Sequence, residues 1–277
     1  MSPDEYCQQK AAASGSSFYY AFLFLPPERR RAITALYAFC REVDDAVDGV
    51  SEPQLARIKL DWWRAEIANL FAGSPQHPVT RALAPAAASF GVSAERLNEI
   101  IDGMQMDLDQ SRYLDFKGLE RYCYHVAGVV GILSAGIFGY SDPRTLEYAT
   151  QLGTAFQLTN IIRDVGEDAR RNRIYLPMDE LQQFGVTAAE ILNAKETENF
   201  RKLMAFQIER AQRYYRQALE HLPEVDRMAQ RTGLIMAAIY RSTLDEVVAS
   251  GCHVLKERVS LTPLRKLWLA WKTWLKS

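Results

Sequence analysis

The sequence predicts an all-α fold built as a single domain. Three observations carry that reading. Apolar residues recur at i, i+3, i+4 spacing through residues 69–71, 83–90, 97–106, 200–222 and 234–248. No stretch alternates convincingly at period two, and no hairpin turn is signalled between strand-like runs. No Pro/Gly/Ser-rich linker or low-complexity segment divides the chain, so residues 1–277 read as one helical domain with a C-terminal amphipathic segment at 261–277.

Helix boundaries follow from local chemistry. Pro26-Pro27, Gly73-Ser74-Pro75, Gly91-Val92-Ser93, Ser141-Asp142-Pro143, Gly185-Val186-Thr187 and Pro223 punctuate the helical runs. Ser93 and Thr187 stand where N-caps belong, and Glu190 lies at the capping-box offset from Thr187. Residues 122–141 carry no Asp, Glu, Lys or Arg and are long enough to span a bilayer. Their four glycines, His125 and two serines favour a buried core segment with close helix contacts.

Composition narrows the function classes. The 277 residues include 33 Lys+Arg against 34 Asp+Glu, a formal net charge of −1, which excludes the basic footprint of nucleic-acid binding. An apolar fraction of 48% excludes a disordered chain. Cys7, Cys40, Cys123 and Cys252 are scattered, as are the four histidines, which argues against structural zinc and suits a reducing cytoplasm. The apolar run at 18–25 follows Asp4 and Glu5 and ends in Pro26-Pro27-Glu28-Arg29-Arg30-Arg31, a poor match to a signal peptide.

Two segments carry the chemistry. In 32–48, Tyr37, Arg41, Asp44 and Asp48 fall within about 60° on one face of a helix that is otherwise apolar almost all round. In 157–168, Asn160, Asp164 and Asp168 are spaced i, i+4, i+8, with Glu167 beside them. Arg41 alone cannot neutralise Asp44, Asp45 and Asp48, and buried carboxylates need compensation. Solvated acidic faces are the plain alternative for either cluster. Two matching clusters on apolar helices instead predict facing carboxylates around a hard divalent cation. Arg41, Arg163, Arg170, Arg171 and Arg173 supply cations for phosphate oxygens. The expectation is a Mg²⁺-dependent enzyme acting on a diphosphate.

These segments also resemble a family. Asp44-Asp45-Ala46-Val47-Asp48 after Phe39-Cys40-Arg41, and Asn160-Ile161-Ile162-Arg163-Asp164-Val165-Gly166-Glu167-Asp168 leading to Arg173-Ile174-Tyr175-Leu176-Pro177, resemble the two aspartate motifs of the squalene/phytoene synthases. Tyr122-Cys123-Tyr124-His125-Val126-Ala127-Gly128 is similar to a third block, and the likeness runs from about residue 14 to 258. Residues 60–64 and 102–108 look most like the bacterial presqualene diphosphate synthases of hopanoid pathways.

The resemblance implies the all-helical isoprenoid synthase bundle with a central cavity. It implies Mg²⁺ held by Asp44, Asp48, Asn160, Asp164 and Asp168, and catalytic roles for the four aspartates with Tyr37 and Arg41. Substrate contacts carried over from the family are Ser17, Phe18, Tyr37, Arg41, Tyr122, Gln157, Asn160, Arg163, Arg173, Tyr240 and Arg258. Gly15 stands where the family often has the first Ser of a Ser-x-Ser-Phe pattern.

The implied reaction condenses two farnesyl diphosphates head to head, giving presqualene diphosphate for downstream squalene-forming enzymes. The alternatives are a phytoene or dehydrosqualene synthase, and more remotely a non-catalytic assembly factor of the same family. No strand-borne Gly-x-Gly-x-x-Gly is present, so no NADPH is expected. Residues 128–139 either leave room for a prenyl tail or pack helices closely. Residues 261–276 interleave Leu and Trp with Arg265, Lys266, Lys272 and Lys276. They read either as an interfacial anchor on the inner face of the membrane or as a terminal helix on the bundle.

Overall fold

Pro27 sits in the first turn of a 22-residue helix, where its fixed φ suits helix entry and its missing N–H costs nothing. The computed structural model describes residues 1–13, 18–49 and 52–276. Among these residues there are helices and no strand, with one isolated bridge between Arg112 and Ile174. In chain order the helices are α1 (Pro3–Ala13), α2 (Phe18–Phe22), α3 (Pro27–Asp48), α4 (Pro53–Phe71), α5 (Pro78–Phe90) and α6 (Ala94–Asp109). Next come α7 (Phe116–Cys123), a π-turn (Tyr124–Gly128), α8 (Val129–Phe138) and α9 (Arg144–Arg170). The chain closes with α10 (Met178–Gln183), α11 (Ala188–Leu192), α12 (Glu198–His221), α13 (Arg231–Ala249) and α14 (Pro263–Lys276).

The caps form where the sequence places them. Ser93 Oγ accepts from the Arg96 N–H, and Thr187 and Glu190 complete a reciprocal capping box. Gly91 and Gly185 end or follow helices at positive φ (68° and 65°), which glycine adopts without a Cβ clash.

The 27-residue α9 is the axis of the bundle, about 40 Å long at 1.5 Å per residue. It packs on α8, α12 and α13, and nearly all buried apolar side chains among the described residues join one hydrophobic cluster. Where α8 crosses α9, a Cβ on Gly131 would stand 2.2 Å from the Ala149 carbonyl oxygen. A Cβ on Gly153 would stand 2.3 Å from that of Ala127, so only glycine permits this approach. The apolar stretch Phe116–Phe138 is long and apolar enough to cross a membrane by length and composition. It lies inside the bundle, packed on α6 and α9, with Val126, Ala127, Val130, Gly131 and Ser134 facing a cavity. Gly131 thus packs closely against α9 and also borders the cavity.

Candidate active site

The cavity separates α3 from α9. Ile33, Leu36, Tyr37 and Cys40 wall one side, and Ala149, Leu152, Gly153, Phe156, Gln157 and Asn160 wall the other. Counting its open mouth, it encloses about 880 Å³. Its walls are apolar apart from a few polar groups, the usual make-up of a small-molecule site. Phe18, Tyr37, Phe156 and Tyr240 cluster at one part of it. Phe18 lies 5.7 Å from Tyr37 and 5.6 Å from Tyr240, and Phe156 lies 4.7 Å from Tyr240, between ring centroids.

One helical turn beyond Cys40 and Asn160, both walls become charged. On α3, Arg41 pairs with Asp44 at 2.7 Å and Asp45 at 3.0 Å. Asp48 accepts from Arg171 at 2.6 Å and from Arg173 at 2.8 Å, two arginines that follow α9. On α9, Arg163 holds both oxygens of Asp164, and Arg258 reaches Asp164 at 2.9 Å and Glu167 at 3.1 Å. Gly166 makes the last contact possible, because its N–H bonds the Val254 carbonyl at 3.2 Å and brings the 254–258 segment onto the helix. The two acidic helices therefore meet across a layer of arginines, with Arg173 felt by Asp44, Asp107 and Asp168 together.

Charge in this layer is unbalanced. Burial pushes the Asp44 carboxyl up to about 6, against Arg41 and with help from Asp48 and Asp45. Asp168 is pushed up to about 7 by burial and then by Asp164 and Asp107. Among the described residues Asp168 has no ion-pair partner. Burial would also raise Asp164, but Arg163 and Arg258 outweigh it and hold that carboxyl below its ordinary value.

The sequence-derived residues divide into three sets. Asp44, Asp48, Asp164, Asp168, Arg41, Arg163, Arg173 and Arg258 form the charged layer, while Phe18, Tyr37, Gln157, Asn160 and Tyr240 lie at the apolar cavity or its aromatic wall. Gln157 Oε1 accepts from Asn160 Nδ2 at 3.4 Å. Tyr122 stands apart from the cavity lining: it is buried, and its hydroxyl donates to Asp107 at 2.9 Å. Ser17 lies outside the described residues. Arg170 is exposed at the end of α9, whereas Arg171 and Arg173 turn back onto α3.

Sequence reasoning missed Asp107 and Tyr175. Asp107 accepts from both Tyr122 and Tyr175 at 2.9 Å, and burial, opposed by Arg173, pushes its carboxyl up to about 6. The signal was present: Ile100, Met104 and Asp107 share one face of α6 at i, i+4, i+7, which puts a carboxylate on an apolar stripe.

The donor chemistry suits a hard cation, since aspartate oxygens and an Asn carbonyl are what Mg²⁺ takes. Burial raises the Asp44, Asp107 and Asp168 carboxyls, and a bound cation would favour their charged forms. Among the described residues, no three His, Cys, Asp or Glu groups stand close enough together to hold one ion, and Asp44, Asp48 and Asp164 are each paired with arginine.

Comparison with known proteins bears on the family and the fold. Residues 11–265 match the model of the squalene/phytoene synthase family. The chain is 39% identical to the chloroplastic phytoene synthase of an Oncidium hybrid cultivar over 94% of its own length, and it spans 65% of that longer protein. It is 35% identical to the 15-cis-phytoene synthase of Synechocystis sp., covering 99% of this chain and 85% of the relative. A crystal structure of a dehydrosqualene synthase with ligand superposes with a TM-score of 0.89 at 29% identity, covering 99% of this chain and 96% of the other. The squalene synthase HpnC of Alicyclobacillus acidocaldarius gives 0.79 at 28% identity, covering 90% and 94%. With its all-helical fold, its cavity and both aspartate motifs in place, the chain belongs to the squalene/phytoene synthase family.

Proposed function

We propose that the protein is a phytoene synthase, a prenyltransferase joining two geranylgeranyl diphosphates head to head. The observation that carries the reading is an apolar slot running back from a carboxylate and arginine layer shared by two helices. That geometry fits an amphiphile with a long tail and a diphosphate head. The slot has the length scale of a prenyl tail. Lining residues on α9 run from Asn160 to Tyr148, a rise of about 18 Å. An extended C20 prenyl chain, with C–C bonds of ~1.5 Å, spans roughly 20 Å, and a C15 chain roughly 15 Å. The curated relatives described above carry the name phytoene synthase, which moves the assignment from the presqualene reading to its alternative.

In this reading Arg163, Arg173 and Arg258 grip diphosphate oxygens by charge-assisted hydrogen bonds, releasing Asp164 and the Asp48 oxygen that Arg173 now holds. Asp44, Asp48, Asn160, Asp164 and Asp168 would hold Mg²⁺, which supplies Lewis-acid polarisation of the departing diphosphate. Phe18, Tyr37, Phe156 and Tyr240 present ring faces to the allylic cation, each contact worth up to about 2 kcal/mol when desolvated. Those rings also exclude water, which would otherwise capture the cation.

A farnesyl-based reading rests on the two solved structures, a dehydrosqualene synthase and a squalene synthase. Mass spectrometry of products from purified protein with Mg²⁺ and either geranylgeranyl or farnesyl diphosphate separates the two. Phytoene from the C20 substrate without NADPH is expected. Products from farnesyl diphosphate alone would return the assignment to the C15 reading.

A further inference from the structure

Helix α14 turns its apolar side away from the bundle. At about 100° per residue, Leu264, Leu267, Trp268, Trp271, Trp274 and Leu275 fall within an arc of roughly 120°. Leu264 is 79% exposed and Trp271 54% exposed, while Ala270 is the one buried residue of the described helix. Arg265, Lys272 and Lys276 form a narrow basic stripe flanking the apolar arc, and the helix carries no acid. Lys272 lies over the Trp268 ring at 4.5 Å, and Arg265 is anchored to Glu246 on α13 at 2.5 Å.

A helix covered by its own bundle would be oriented the other way. The helix is nonetheless seated: Trp274 stacks on Phe24 at 5.7 Å, Arg231 lies over Trp274, and Lys266 lies over Tyr20. These contacts place it beside α2, whose Phe18 and Phe22 line the cavity. Burial and the charges of Arg163 and Arg258 together lower the Lys266 pKa, so the helix also flanks the charged layer.

We infer that the exposed face of α14 docks the protein on an anionic lipid surface, with Trp and Leu in the acyl boundary and the basic stripe at the headgroups. Tryptophan beside lysine at the edge of an apolar arc is the arrangement of an interfacial helix. Anionic lipid complements Lys272 and Lys276, which have no acidic partner among the described residues, whereas a neutral apolar partner would leave them unsatisfied. The contact stands on the helix alone; its use, delivering an amphiphilic substrate to the neighbouring cavity, rests on the proposed reaction.

Flotation of the full chain with vesicles tests it. Phosphatidylcholine vesicles containing phosphatidylglycerol should carry the protein, and pure phosphatidylcholine vesicles should carry much less. Trp268→Ser/Trp271→Ser and Lys272→Gln/Lys276→Gln should each lower flotation by roughly tenfold or more. Both should keep the wild-type circular dichroism and the wild-type turnover of detergent-dispersed substrate. Wild-type protein that ignores anionic vesicles, or variants that float equally well, would overturn the inference. So would a concentration-dependent dimer that Trp268→Ser/Trp271→Ser dissolves while no vesicle binds. Flotation needs no turnover, so a wrong substrate assignment leaves its outcome unchanged.

Discussion

Asp164 is held by two arginines from different parts of the chain, Arg163 beside it and Arg258 from the segment after α13. An amide at this position keeps the shape and loses the charge that both guanidiniums and a cation would require. Asp164→Asn should lower kcat by at least about 100-fold, the scale of losing one electrostatic group at a reacting charge. Circular dichroism should remain that of the wild type, and near-normal turnover would remove the α9 cluster from the chemistry. Spacing alone revealed this residue, because an Asn and two Asp at i, i+4, i+8 on an apolar helix are visible in any linear reading. Asp107 was not visible in the same way. It is one of several acids on α6, not set apart by spacing, and its importance comes from Tyr122 and Tyr175, which reach it from elsewhere in the chain. Tyr122 likewise shows how a motif residue can belong to the site by supporting a carboxylate instead of lining the slot.

Helices in this protein are tied together by a few polar knots as well as by apolar packing. Glu66 on α4 is buried and accepts from Thr80 Oγ1 at 2.5 Å and from the Gln76 and His77 N–H groups at 2.7 Å, fixing the start of α5. Burial alone would raise its carboxyl, but these hydrogen bonds outweigh burial and hold it below the ordinary value. Its contribution is therefore full above the unfolded glutamate pKa of about 4.3 and is lost as pH falls through the lower folded value. Urea denaturation of Glu66→Gln should show a flatter fall in stability than the wild type between about pH 5 and pH 3. Identical slopes would show that the knot adds nothing.

Gly166 is the corresponding knot for α9. A Cβ there would lie 2.4 Å from the Leu255 carbonyl oxygen and 2.6 Å from that of Val254, both backbone atoms. Gly166→Ala should push away the segment that carries Arg258, raise KM for the diphosphate substrate and cost about 1–3 kcal/mol in urea denaturation. Unchanged KM would mean that Arg258 does not depend on this contact. The glycine itself was readable in the motif, but its partner lies almost ninety residues downstream, at Val254.

For the molecule as a whole, the helical class and the two acidic faces follow from periodicity, because each is a property of one helix. Which faces meet does not follow from periodicity. Arg171 and Arg173 joining Asp48 across the gap, and the glycine crossing of α8 on α9 that leaves a slot beside it, are set by packing between distant segments. The orientation of α14 is of the same kind: its two faces are legible in the sequence, but only the packed structure shows which one is turned outward.

The central claim is that this slot takes a prenyl tail while the α3 and α9 residues take its diphosphate. A crystal structure with Mg²⁺ and a non-ionising geranylgeranyl thiodiphosphate examines it most directly. The diphosphate should lie between Asp44 or Asp48 and Asp164 or Asp168, with Arg163 or Arg258 on its oxygens. The tail should run past Phe156 and Gly153 toward Tyr148. A diphosphate bound away from both aspartate clusters, or a tail outside the slot with the slot still closed around its own side chains, would contradict the claim.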